Sequence, residues 1–215
     1  QYFFRDELML IEVPFNKNPD EWHCIHAAMK SVIEHFSNEF FSLEYLNALM
    51  NPQRNLWVWP SQVVKTFDEV GLFTRLFTNS LNSWSNQSSV VNNFREDYIK
   101  KTDFKSLKES INYLKSNDLL EPRNLDIAEL ESFLLKGCLP IIIMGSKKFL
   151  GKYALITGFD AKHFYYHETG PQHFLPNKQI SKKRFIELWS RNPGFNSAII
   201  VFGKKYKDTY TRFNF

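Results

Sequence analysis

At residue 137 the hydrophobic pattern of this chain changes period. Before it, apolar residues recur at helical spacing; after it, they fall in short runs of strand length. Asp126, followed three residues later by Glu129, reads as a capping box that opens a helix, and Gly137 reads as its stop. Strand-like runs follow at 138–144, 153–159 and 162–167, with a turn at Asp160-Ala161 between the last two. A helix over 181–191 then precedes a final strand over 197–202. Helices first and a mostly antiparallel sheet second is the order of an α+β domain, not of a doubly wound parallel sheet.

The first part of the chain supplies the helices. A short extended start over 8–13 and a polar stretch over 16–20 lead into a helix over 22–35, with Ala28, Val32 and Phe36 along its apolar stripe. Further helices are expected over 42–50 and over 60–70, the latter closed by Gly71, and a strand over 72–77. Residues 79–93 are rich in Ser and Asn and read as an exposed excursion, and 95–117 are charged and amphipathic. The region 79–122 is therefore expected to be an insertion on a smaller fold. With 215 residues, 43% of them hydrophobic, the chain is expected to be one domain over 1–215.

Composition excludes several classes. Eight glycines and nine prolines beside 16% aromatics argue against low-complexity or disordered character. The net charge is +4, and residues 145–215 hold 13 Lys/Arg against 4 Asp/Glu. No aromatic-plus-basic motif accompanies this charge, so runs such as Lys182-Lys183-Arg184 read as solvated helix face and no nucleic-acid partner is expected. Two cysteines make no disulfide framework, and neither they nor the histidines show metal-ligand spacing, so no metal and no cofactor are expected. The longest apolar run, from Leu139 to Met144, is far short of the ~20 residues of a membrane helix. A start at Gln1 leaves both a cytoplasmic chain and a secreted one with its leader removed open. Gly145-Ser146-Lys147-Lys148-Phe149-Leu150-Gly151-Lys152 has one spacer residue too many for a phosphate-binding loop, lacks the Ser/Thr and leads into a strand.

Cys24 is the residue with the clearest chemical address. It stands at the start of the first helix, where unpaired backbone N–H groups and the positive end of the dipole favour thiolate over thiol. A nucleophile so placed needs a base and a carboxylate to orient that base. Cys138, next to Leu139-Pro140, reads as a core residue.

A helix-borne cysteine followed far downstream by two adjacent strands resembles the C39-like peptidases of the papain-like superfamily. The resemblance covers 18–29 and 127–202. Cys24-Ile25-His26-Ala27-Ala28 stands where that family has Cys-Gly-Pro-Ala-Ala, and Asn18 stands where it has the glutamine of the oxyanion hole. Gly151-Lys152-Tyr153-Ala154-Leu155-Ile156-Thr157-Gly158-Phe159-Asp160 is similar to its histidine strand. Tyr166-His167-Glu168-Thr169-Gly170 is similar to its aspartate segment, and Phe185 and Trp189 match the helix that follows. The resemblance implies a papain-like fold and a catalytic set of Cys24, Lys152, Glu168 and Asn18. It puts Lys152 where the family has its catalytic histidine and Glu168 where it has the orienting aspartate.

A lysine is protonated at neutral pH and does not serve as a base unless its pKa is strongly lowered. His26 lies two residues beyond Cys24 on the same helix, so the two side chains diverge, and His23 is as poorly placed. His167 neighbours Glu168 on a strand and should face the other way. His173, in a loop beyond Pro171, is the histidine whose reach the sequence does not forbid. Two functions remain from these residues: a pseudoenzyme that binds a peptide or protein in the remnant cleft, or an active cysteine enzyme, peptidase or amide-forming acyltransferase, with Cys24 as nucleophile.

Overall fold

The computed structural model describes residues 8–20, 23–50, 56–84, 99–146, 149–169, 174–189 and 196–204. The first part of the chain runs through β1 (Met9–Leu10), α1 (Cys24–Ser37), α2 (Leu43–Met50), α3 (Pro60–Glu69), β2 (Leu72–Thr78), α4 (Leu81–Trp84) and α5 (Phe104–Ser116). The second part runs through β3 (Leu120–Glu121), α6 (Ile127–Leu135), β4 (Leu139–Ser146), β5 (Phe149–Phe159), β6 (His163–Thr169), β7 (Phe174–Ser181), α7 (Lys182–Leu188) and β8 (Ser197–Lys204).

Local chemistry sets the helix ends. Asp126 Oδ1 accepts the Glu129 N–H at 2.8 Å and Glu129 Oε2 accepts the Asp126 N–H at 3.0 Å, the reciprocal cap expected from the sequence. Gly137 and Gly71, with φ of 76° and 81°, turn the chain out of α6 and α3 in the left-handed region. Asp103 caps α5 through the N–H groups of Lys105 and Ser106.

The strands form one sheet in the order β3-β2-β8-β4-β5-β6-β7, with β1 paired to β5. Every described pairing is antiparallel except β2 with β3. Alternation splits the buried strand residues between two cores. Ile141, Tyr153, Leu155 and Ile199 join Ala28, Val32 and Phe67 under α1 and α3. Ile142, Ala154, Ile156, Tyr166 and Ile200 join Phe133, Phe185 and Trp189 under α6 and α7. The sheet is thus a middle layer, and its central strands read as unbroken apolar runs because both faces are covered.

The boundaries differ from the sequence reading in instructive places. β5 starts at Phe149 instead of 153, and β6 continues through Thr169. β7 was not expected at all: Pro176 and Asn177 punctuate it as a turn would, and an edge strand need not alternate cleanly. Part of the expected insertion, 85–98, lies outside the described residues. The helix after it, α5, is tied to α3 by the Ser61–Ser110 hydroxyl pair and by Gln62 Nε2–H donating to Ser106 Oγ, and the residues just before the two helices are joined by Trp59 Nε1–H donating to Thr102 Oγ1.

The two strands that flank β6 bulge in line with each other. The register shifts between Ile156 and Gly158 on β5, which leaves Thr157 as the extra residue there, and again where His167 of β6 stands opposite both Pro176 and Asn177 of β7. On β7 the matching residue is Asn177, at φ 50°. Side chains join the column: the Thr157 hydroxyl donates to Asn177 Oδ1 at 2.8 Å, and the Asn177 N–H donates to His167 Nδ1 at 3.3 Å. His167 Nε2 then faces the Val13 carbonyl at 3.1 Å, and the Ile11 N–H donates to the Thr157 carbonyl at 2.8 Å. The column holds the N-terminal segment that leads to α1.

Candidate functional site

Cys24 is the first residue of α1, and His23, its N-cap, makes no side-chain cap hydrogen bond. The backbone donors of the first turn therefore remain available to the sulfur. Burial pushes the Cys24 thiol above its ordinary value, against the N–H groups of Tyr153 and Ile25, the charge of Lys152 and its own N–H, which all pull it down. The helix start acts on the thiol as the sequence predicts, yet desolvation prevails and the thiol form is favoured. Cys24 is partly exposed, and its carbonyl accepts the Thr169 hydroxyl at 3.3 Å.

Lys152 and Glu168 meet directly. Lys152 Nζ lies 2.5 Å from Oε1 and 2.7 Å from Oε2 of Glu168. Lys178 Nζ donates to Oε2 at 3.1 Å, and the Tyr166 hydroxyl donates to the same oxygen at 3.1 Å. The Glu168 side chain is 3% exposed, whereas those of Lys152 and Lys178 are 46% and 39% exposed. Burial raises the Glu168 pKa, but the hydrogen bond and charge of Lys152, then those of Lys178, outweigh it and hold the carboxyl below its ordinary value. The same carboxylate, after burial, holds the Tyr166 phenol above its own.

These groups gather at one end of the sheet but on different faces. Tyr153 and Leu155 point to the α1 side, with Cys24 packed against that core, while Ala154 and Ile156 point to the other. Lys152 keeps the phase of Ala154, and Glu168 the phase of Tyr166, so their ion pair lies on the face away from α1. Thr169 and His167 occupy the Cys24 side. His167 points away from Glu168, as strand alternation predicts. Asn18 is buried in the loop before α1, and its carboxamide oxygen accepts the Asp20 N–H at 3.2 Å. His173 lies outside the described residues. Cys138 is core, its thiol pushed up by burial to about 12.

The sequence reading missed Lys178 and Tyr166 as partners of Glu168, since β7 was not recognised. It also missed the pair at the α1 entrance. Asp20 Oδ2 lies 2.6 Å from His23 Nδ1 while Asp20 Oδ1 accepts the His23 N–H at 3.1 Å. The His23 ring stacks edge-on against His26 at 4.7 Å between centroids. His26 is 2% exposed, and neither ring nitrogen has a hydrogen-bond partner among the described residues. Burial, with the His23 charge behind it, lowers the His26 pKa to about 4; Asn47 and Asp20 oppose this only in part. No group of three or more His, Cys, Asp or Glu side chains among the described residues is arranged to hold a metal ion. No helix among them is long and apolar enough to cross a membrane.

The sequence matches no protein-family model and no curated protein. The structure does have relatives. It is similar to the peptidase domain of Streptococcus ComA, a bifunctional ABC transporter involved in a quorum-sensing pathway. That match has 14% identity over 89% of this chain and 100% of that one, with a TM-score of 0.50. It is also similar to a Bacillus anthracis protein described as a C39-like peptidase, at 10% identity over 94% of this chain and 100% of that one, with a TM-score of 0.56. The structural neighbours are C39 peptidase domains, and the chain has their α+β, papain-like fold.

Proposed function

We propose that this chain is a C39-like peptidase homologue with an impaired triad, which binds a peptide or protein in its remnant cleft at Cys24 without cleaving it. The observation that carries the reading is Lys152 Nζ at 2.5 and 2.7 Å from the two Glu168 oxygens, at the positions where the family resemblance implies a histidine and its aspartate. An ammonium bound to a carboxylate has no lone pair to take the thiol proton. A carboxylate already holding three donors, with its pKa lowered, is a weak base. A desolvated thiol with a raised pKa supplies little thiolate at neutral pH.

A second reading, an active peptidase or amide-forming acyltransferase with Cys24 as nucleophile, draws on one observation. The N–H groups of Tyr153 and Ile25 and the charge of Lys152 all favour the thiolate. That reading would call on His173, or on Lys152 in its neutral form, as the base.

The rate of iodoacetamide labelling of Cys24 against pH, measured beside turnover of a mixed peptide panel, separates the two. The binding reading expects an apparent thiol pKa at or above about 8.5, no turnover, and slower labelling when panel peptides are present. Turnover that disappears in Cys24→Ala would overturn it.

A further inference from the structure

We propose that Lys152 and Lys178, side by side on the buried Glu168 carboxylate, form a binding site for a second carboxylate, one carried next to an apolar group that contacts Leu175. The site lies on the sheet face away from Cys24 and stands independently of whether Cys24 reacts.

Two ammonium groups share one acceptor: Lys152 and Lys178 donate to the same Glu168 oxygen at 2.7 and 3.1 Å. One negative charge holds two positive ones at close range, so the cluster carries an excess positive charge that Glu168 alone cannot neutralise. Glu168 itself is enclosed, with both oxygens occupied and the Tyr166 hydroxyl fixing its orientation. The lysine side chains remain 46% and 39% exposed, so each keeps ammonium hydrogens for a ligand. A second carboxylate bridging them completes an alternating set of two cations and two anions, which relieves the repulsion between the lysines.

The neighbouring surface selects the rest of the ligand. Leu175 is the register partner of Glu168, so the two side chains share a face, and Leu175 is 53% exposed. β7 is the sheet's edge among the described residues, but Pro176, the kink at Asn177 and Lys178 itself guard it against an added strand. Recognition therefore falls to the side chains: a carboxylate on the lysines and an apolar group on Leu175. A peptide's C-terminal residue has this chemistry, and so does an acidic residue beside an apolar one.

The test is a backbone-amide NMR titration of the full chain with N-acetylleucine, N-acetylleucinamide, N-acetylaspartylleucinamide and inorganic phosphate. N-acetylleucine or the aspartyl compound is expected to give saturable shifts around Glu168, Leu175 and Lys178, in roughly the millimolar range expected of so small a ligand. Whichever of the two binds tighter identifies the source of the carboxylate. N-acetylleucinamide should bind at least about tenfold more weakly, and added salt should weaken the carboxylates. Lys178→Met should reduce affinity about tenfold or more, while Lys178→Arg should retain it, which separates lost charge from lost fold. Equal binding of acid and amide, tighter binding of phosphate, shifts that do not saturate, or unchanged affinity in a folded Lys178→Met would each overturn the proposal.

Discussion

Lys152 faces away from Cys24, although its charge still reaches the thiol. Tyr153 lies between them in sequence and turns its N–H toward the sulfur, while its hydroxyl donates to the Val58 carbonyl on the α1 side at 2.8 Å. Neighbouring residues of β5 thus act on Cys24 in different ways, Tyr153 through its N–H and Lys152 through its charge.

Placing a histidine at position 152 should not create turnover. Lys152→His would set an imidazole beside Glu168 on the face opposite α1, so its expected turnover of a peptide panel is the same as that of wild type. A Cys24-dependent gain in turnover would show that the two faces communicate more closely than the strand phase allows.

The Glu168 cluster should make stability depend on acid pH. A carboxyl whose folded pKa lies below its unfolded value, about 4.3, contributes stability above that value and loses it as pH falls through the folded pKa. Glu168→Gln should cost about 1–2 kcal/mol at pH 7, modest because the lysines are half exposed and can turn to water. The deficit should shrink as the pH is lowered through 4 toward 3, as read from urea midpoints.

His26 should destabilise the fold over a higher range. Its folded pKa of about 4 lies below the unfolded value near 6.5, so the unfolded chain binds the proton first. Its contribution is complete above pH 6.5 and declines as pH drops toward 4, by up to about 3 kcal/mol. His26→Phe, which keeps the volume and removes two unpartnered nitrogens, should flatten the stability curve between pH 7 and 4.5; a curve with wild-type slope would refute this assignment.

At Asn177 both backbone and side chain are committed. Asn177→Ala places a Cβ residue at φ 50° without the turn chemistry of asparagine and removes the acceptor of the Thr157 hydroxyl. A loss of about 1–3 kcal/mol is expected in thermal or urea unfolding. Asn177→Gly, which relieves the backbone but not the hydrogen bond, should lose less.

Gly158 admits β1. A Cβ there would sit 2.1 Å from the Met9 carbonyl oxygen and 3.0 Å from Leu10 Cα, both backbone atoms that cannot step aside without leaving the strand. Gly158→Ala should release β1, raising amide exchange at Met9 and Leu10 while β4 and β6 stay protected.

Much of this architecture was legible in the sequence because the signals were local. The Asp126–Glu129 cap, Gly71, Gly137 and the runs at Ile141 and Leu155 each mean the same thing in isolation as in the fold. The site was legible only in part. Lys152 and Glu168 were singled out by the residues that flank them, and the structure does pair them. Their facing relative to Cys24 depends on strand phase, and the partnership with Lys178 depends on the register of a strand interrupted by Pro176 and Asn177. Neither property is written in any one segment. The raised thiol pKa of Cys24 likewise follows from what packs over the helix start, which a helix-start signal does not report.

The bulges at Thr157 and Asn177 lie at equal separations along the chain from His167, the residue that stands between them in the column. An inserted or deleted residue anywhere in the arms between them would slide one member out of the column, break its bonds to the others and turn Glu168 to the opposite face. Length changes in descendants or relatives of this chain should therefore collect in the connections at 160–162 and 170–173, leaving the arms fixed in length even where their residues change.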